Sequence, residues 1–124
     1  MKVLIADDSH ILRETLKRYL STLEEIQQID EAETISKTKQ MLFKIHPDVL
    51  ILDIHMSDGS GFEILDLLKT MSHKPITIIF TNYVCKLYRD VSFKGGANYF
   101  FDKSNEFEKM TDVLQTLIHQ QIKD

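Results

Sequence analysis

The chain is poor in the residues that staple, break or anchor a protein. One cysteine, Cys85, in 124 residues excludes an internal disulfide, so nothing suggests an oxidising compartment. Two prolines and four glycines leave no Pro/Gly/Ser-rich linker, and neither an internal repeat nor a low-complexity tract is found. Apolar runs are only a few residues long, far short of the roughly 20 that cross a bilayer. No charged-then-apolar leader precedes the first of them, so no export signal is read. Lys and Arg are scattered and the formal net charge is −4, whereas nucleic-acid binders carry a clustered basic footprint. A cytoplasmic protein that binds neither membrane nor nucleic acid directly is the expectation.

What is present suffices for one core. The length fits a single domain over residues 1–124, and an apolar fraction of 43% argues against disorder. Runs of β-branched and aliphatic residues stand at Val3-Leu4-Ile5-Ala6, Val49-Leu50-Ile51-Leu52, Ile76-Thr77-Ile78-Ile79-Phe80 and Tyr99-Phe100-Phe101. Being apolar on both faces, they suit strands buried between helical layers. Ile26-Gln27-Gln28-Ile29 is half polar, as an edge strand can be.

Between the runs, apolar residues recur at helical spacing. Leu12, Leu16, Tyr19, Leu20 and Leu23 mark one face, and Ile35, Met41, Leu42 and Ile45 a second, stopped by His46-Pro47. Phe62, Leu65 and Leu68 mark a third. A fourth, Val84, Leu87, Tyr88 and Val91, closes at Gly95-Gly96. Phe107, Met110, Leu114, Leu117 and Ile118 mark a fifth, opened by Asn105 with Glu108 three residues later. Five strand–helix units in alternation predict an α/β protein with a parallel sheet and helices on both faces. In such sheets ligands bind at the carboxyl ends of the strands.

Those ends carry polar groups. Asp7-Asp8 follows the first run, Asp53 the third, Thr81 the fourth and Lys103 the fifth. Each has an ordinary alternative: Asp8 or Ser9 could cap the first helix, and Asp53 could cap a turn at Ser57-Asp58-Gly59. Thr81 could simply end a strand, and Lys103 could be an exposed lysine. Converging carboxylates repel one another unless a cation sits among them. Oxygen donors without cysteine, and histidines without zinc-like spacing, suit Mg²⁺. A carboxylate can also be phosphorylated, and phosphoryl transfer asks mainly for alignment and charge neutralisation. His10, His46, His73 and His119 read as solvated surface residues, and His55 as a neighbour of the site.

Taken together, Val3-Leu4-Ile5-Ala6-Asp7-Asp8-Ser9, Pro47-Asp48-Val49-Leu50-Ile51-Leu52-Asp53-Ile54-His55-Met56, Phe80-Thr81-Asn82 and Gly95-Gly96-Ala97-Asn98-Tyr99-Phe100-Phe101-Asp102-Lys103 resemble the receiver domains of bacterial two-component response regulators, of the chemotaxis-receiver kind. The likeness runs over essentially the whole chain. It implies a flavodoxin-like strand order 2-1-3-4-5 and a phosphorelay switch with Asp53 as phosphoacceptor. It further implies Mg²⁺ held by Asp7, Asp8, Asp53 and the His55 backbone carbonyl, with Thr81 and Lys103 contacting the phosphoryl group. Phe100 matches an aromatic switch position that turns inward as Thr81 moves, although it also reads as an ordinary core residue.

The implied partners are a histidine kinase or phosphotransfer protein and a downstream effector or output domain. The effector would be controlled through the surface of the fourth helix, fifth strand and fifth helix, by a monomer or a phosphorylation-dependent dimer. Ser57 and Ser104 stand where many relatives have proline, the latter often across a cis bond. His55 and Tyr83 occupy positions that tune phosphate lifetime. The chain is thus expected to catalyse only its own phosphorylation and dephosphorylation. The competing enzyme reading is a Mg²⁺-dependent phosphatase with Asp53 as nucleophile. Such phosphatases usually place a second acid where His55 stands and need insertions for which 124 residues leave no space. A pseudo-receiver would normally have lost one of the acids or the lysine. The end of the chain, Gln120-Gln121-Ile122-Lys123-Asp124, suits a single-domain regulator and equally a piece of a longer one.

Overall fold

A computed structural model of the chain describes residues 1–123, with side chains to residue 120; Asp124 lies outside the described residues. Strand β1 (Lys2–Ala6) is followed by α1 (His10–Leu20), β2 (Gln28–Ala32), α2 (Ile35–Ile45) and β3 (Val49–Leu52). A two-residue ladder, His55–Met56 against Gly59–Ser60, then leads into α3 (Gly61–Thr70). Strand β4 (Ile76–Thr81), α4 (Lys86–Lys94), β5 (Tyr99–Asp102) and α5 (Phe107–Lys123) complete the fold. The main sheet is parallel throughout, in the order β2-β1-β3-β4-β5. This is the 2-1-3-4-5 arrangement the resemblance implied.

Because side chains alternate across a strand, each buried strand feeds two cores. Leu4, Ala6, Leu50, Leu52 and Ile79 pack against Ile35, Leu42, Ile64 and Leu65 of α2 and α3. Val3, Ile5, Val49, Ile51, Ile78 and Phe80 meet Leu16 and Leu20 of α1 and Met110, Leu114 and Ile118 of α5. The helix starts are set locally: Ser9 caps α1, Thr34 caps α2, and Ser60 with Glu63 forms a reciprocal capping box on α3. Ser9 thus takes the capping role and leaves Asp8 exposed. Helix α2 ends at His46, whose left-handed backbone (φ 46°) and following Pro47 stop it.

Three expectations are corrected. The edge strand runs over Gln28–Ala32 rather than 26–29. Its charged half is stabilised from α1, where Arg13 and Lys17 approach Glu31 at 3.1 and 3.0 Å. Helix α4 does not bury the face marked by Val84, Leu87 and Val91, all of which are exposed. It rests instead on half-buried Tyr88 and on Ser92, whose hydroxyl donates to the Tyr88 carbonyl at 2.7 Å. Helix α5 begins at Phe107, and Glu106 rather than Asn105 organises its entry by accepting from the Asp102 amide at 2.9 Å. Among the described residues no peptide is cis, so the bond into Ser104 is trans.

Candidate cation and phosphoacceptor site

Parallel pairing brings the carboxyl ends of β1, β3, β4 and β5 to one rim. The Asp7 amide donates to the Ala32 carbonyl and the Asp53 amide to the Ala6 carbonyl, both at 3.0 Å, so each acid extends its strand by one residue. The Lys103 amide does the same toward the Thr81 carbonyl at 2.9 Å. Side chains from loops far apart in sequence therefore converge on rigid supports.

Ligand oxygens of Asp7, Asp8 and Asp53 lie within 4.8 Å of one another. Lys103 Nζ stands 2.6 Å from Asp7 Oδ2 and 2.8 Å from Asp53 Oδ2. The other oxygen of Asp7 accepts from the Ser9 amide at 2.8 Å, and that of Asp53 from the Ile54 amide at 2.7 Å. Asp7 and Asp53 are buried and Asp8 is exposed, so the cluster opens to solvent on one side.

Burial pushes the Asp7 carboxyl above its ordinary pKa, more than the Lys103 and Ser9 hydrogen bonds bring it back. Burial pulls the Lys103 ammonium down, but the hydrogen bonds it donates to Asp53 and Asp7 outweigh this and hold the pKa above its ordinary value. Two of the three carboxylates share one ammonium and Asp8 has none, which leaves the cluster short of positive charge. A set of only oxygen donors, partly open to water, fits Mg²⁺.

The other expected site residues stand at the end of β4 (Thr81), in the short ladder after β3 (His55) and within β5 (Phe100). Thr81 is fully buried, and its hydroxyl accepts from the Tyr83 amide at 3.2 Å. His55 is not among the clustered ligand groups. Its ring packs against Tyr83 (centroids 4.0 Å) and Tyr88 (5.6 Å), with Nε2 3.3 Å from the Tyr88 hydroxyl. Phe100 is buried, and the Arg89 guanidinium lies 4.7 Å from its ring centre. His10, His46, His73 and His119 are exposed, as expected.

Two supporting residues escaped the sequence reading. Buried Arg13 donates to the Asp7 carbonyl at 2.7 Å, bracing the first acidic loop from α1. Asp58 accepts from the amides of Ile35 and Ser36 at 2.6 and 3.1 Å, joining the loop after Asp53 to α2. Nothing in residue type or spacing announces either, because their partners are backbone atoms of distant segments. Gly61 is a third support: a Cβ there would overlap the Asp53 carbonyl oxygen. Gly61→Ala is expected to cost about 1–3 kcal/mol, as forced overpacking does, and to weaken Mg²⁺ binding by shifting the Asp53 backbone. Urea unfolding with a Mg²⁺ titration checks it; wild-type values in both would contradict the close approach.

Fold and site define a doubly wound α/β protein with an acidic triad at the carboxyl rim of its sheet, consistent with a metal site. The sequence model of the response regulator receiver domain matches residues 3–115. The chain belongs to that family, the receiver domains of two-component systems.

Among similar proteins, "Sensory transduction protein LytT" of Bacillus subtilis (strain 168) is 35% identical over 115 residues, 93% of this chain and 47% of that protein. The protein of the same name in Bacillus anthracis is 39% identical over 83 residues, 67% of this chain and 34% of its own length. The chain therefore spans less than half of these curated relatives. The non-phosphorylated HemR receiver domain of Leptospira biflexa superposes with a TM-score of 0.84 at 24% identity, covering 94% of this chain and 93% of that one, and supports the fold. Receiver domains are typically non-enzymatic signalling switches, and a phosphoacceptor role is implied by the family. Among the described residues no helix is long and apolar enough to cross a membrane.

Proposed function

We propose that residues 1–124 form one receiver domain that accepts a phosphoryl group on Asp53, in a Mg²⁺-dependent reaction, from a histidine kinase or phosphotransfer protein. The observation that carries this reading is the Lys103 ammonium bridging Asp7 and Asp53, with Asp8 beside them. Asp7, Asp8, Asp53 and the His55 carbonyl would hold the ion. When bound, Mg²⁺ neutralises charge on the phosphoryl oxygens and the carboxylates.

The remaining work falls to the chain. An Asp53 oxygen forms the new bond to phosphorus while the donor's P–N bond breaks, and the donor imidazole keeps the electron pair. Lys103, already at that carboxylate, is placed to pair with a phosphoryl oxygen. Phosphorylation adds about −1.5 to −2 charge at neutral pH, and it biases a two-state element only through contacts that differ between states. Those contacts would come from Thr81, by exchanging its bond with the Tyr83 amide for one to the phosphoryl group, and from Lys103. Phe100 and the α4-β5-α5 surface would then pass the change to an effector or output domain. The greater length of the matched relatives is consistent with an output region, and a monomer or a phosphorylation-dependent dimer would carry the signal.

Acetyl phosphate with Mg²⁺, followed by intact-mass measurement, tests the assignment. Sustained turnover of generic phosphate esters would favour an aspartate-nucleophile phosphatase instead. The Tyr83 ring, packed on His55, should slow entry of the attacking water. Tyr83→Ala is expected to lose its phosphoryl group severalfold faster; unchanged or slower decay contradicts the shielding.

A further inference from the structure

Helix α2 begins with backbone N–H groups that have no partner inside the helix. Thr34, its own cap residue, satisfies one by accepting from the Lys37 amide at 3.0 Å. The first two are taken from outside. Ile35 and Ser36 donate to the two carboxylate oxygens of Asp58, which stands in the turn of the short ladder after Asp53. These backbone bonds hold the Asp58 carboxyl below its ordinary pKa, so it is ionised at neutral pH.

The other end of the ladder is fixed by α3. The Gly61 amide donates to the Ile54 carbonyl at 2.6 Å, and the Ser60 amide to Glu63 at 3.0 Å. The stretch from Asp53 to Gly61 is therefore tied down twice, at its base by α3 and at its tip by α2. His55 lies between the two ties, in register with Ser60. Release of the tip frees the strand that carries the His55 carbonyl while leaving all three acids on their own supports.

We infer that Asp58 is a positioning residue for the cation pocket: from the tip of the ladder it clamps the loop after Asp53 onto α2 and so sets how tightly the pocket holds a divalent ion. Asp58 need touch neither the ion nor Asp53. The inference rests on the reading of this rim as a Mg²⁺ site.

The test is a Mg²⁺ titration followed by backbone amide chemical shifts, on wild type, Asp58→Ala, Asp58→Asn and Thr34→Ala, with melting temperatures alongside. Asp58→Ala is expected to bind Mg²⁺ severalfold more weakly. Asp58→Asn keeps one of the two acceptor oxygens and turns an NH₂ donor toward the other amide, so its affinity should fall between those of wild type and Asp58→Ala. Thr34→Ala removes a cap from the same helix without releasing the ladder, so it should lower the melting temperature and leave Mg²⁺ affinity at the wild-type value.

Unchanged affinity in Asp58→Ala overturns the inference. So does an equal loss in Thr34→Ala, which would mean that any weakening of α2 suffices. If wild type itself binds no Mg²⁺, the cation reading of the rim falls and the inference with it; wild-type binding that is indifferent to Asp58 sinks the inference alone.

Discussion

Asp53→Asn is expected to abolish phosphoryl uptake from acetyl phosphate, while wild type gains the mass of one phosphoryl group. The substitution keeps the shape of the side chain and removes the anionic oxygen that must form the bond. Asp7 makes the same kinds of contact as Asp53, an amide to one oxygen and Lys103 to the other, but in the proposed reading it is held as a ligand of the ion. Asp8 is exposed and lacks the ammonium contact that Asp53 has at 2.8 Å. Charge neutralisation is most of what phosphoryl transfer asks of a protein, so an acid without that ammonium should load far more slowly. The effect is therefore all-or-none on the timescale of wild-type loading. Incorporation that survives the substitution would remove Asp53 from its role and point to another side chain of the rim.

How much of this was legible beforehand depended on where a residue's partners lie. The run Val49–Leu52 is a strand with those very bounds, and β1, β4 and β5 extend the expected runs by one residue. In β1, β3 and β4 that apolar character goes with burial on both faces, which composition records directly. The edge strand differs because its stability is partly ionic: Glu31 is held by Arg13 and Lys17, and such pairing has no hydrophobic signature. Helix α4 misleads for the opposite reason. Leu87 and Val91 repeat at helical spacing, yet they are 65% and 38% exposed, while a serine makes the buried contact. Periodicity identifies an apolar face without saying whether the sheet lies beneath it.

The site divides the same way. Asp7, Asp8, Asp53, Thr81 and Lys103 follow apolar runs, and the rule that the carboxyl ends of parallel strands converge brings them together from sequence alone. Arg13, Asp58 and Gly61 support that rim through the carbonyl of Asp7, the amides of Ile35 and Ser36, and the carbonyl of Asp53. A backbone partner carries no residue identity, so these supports stay silent in a sequence until the chain is folded.

Lys103→Met tests the charge balance of the rim from the other side. The methionine keeps an unbranched stem and removes the ammonium, so two buried carboxylates lose their shared partner. Breaking buried pairs in this way typically costs about 3–5 kcal/mol, and Lys103, Asp7 and Asp53 are buried enough (11%, 3% and 6% side-chain exposure) for that range to apply. The loss should depend on pH in a defined sense. Asp7 already has its pKa raised by burial, and removing the ammonium raises it further. A carboxyl whose folded pKa exceeds its unfolded value destabilises the protein increasingly as pH rises through that folded value, and ceases to do so in acid. The variant's deficit should thus be large at neutral pH and shrink on acidification. In wild type, the stability from the raised Lys103 pKa is present below its ordinary value of 10.5 and is lost as pH climbs through the higher folded value. Mg²⁺ should narrow the deficit at neutral pH, because without the competing ammonium the carboxylates bind the ion more tightly, and each tenfold gain in affinity over wild type recovers about 1.4 kcal/mol at saturation. Urea unfolding of both proteins at neutral and acid pH, with and without Mg²⁺, measures all of this. A deficit unchanged by acid and by Mg²⁺ would mean that the ammonium does not act by balancing the carboxylate charge, and the acids would then need another explanation for standing so close together.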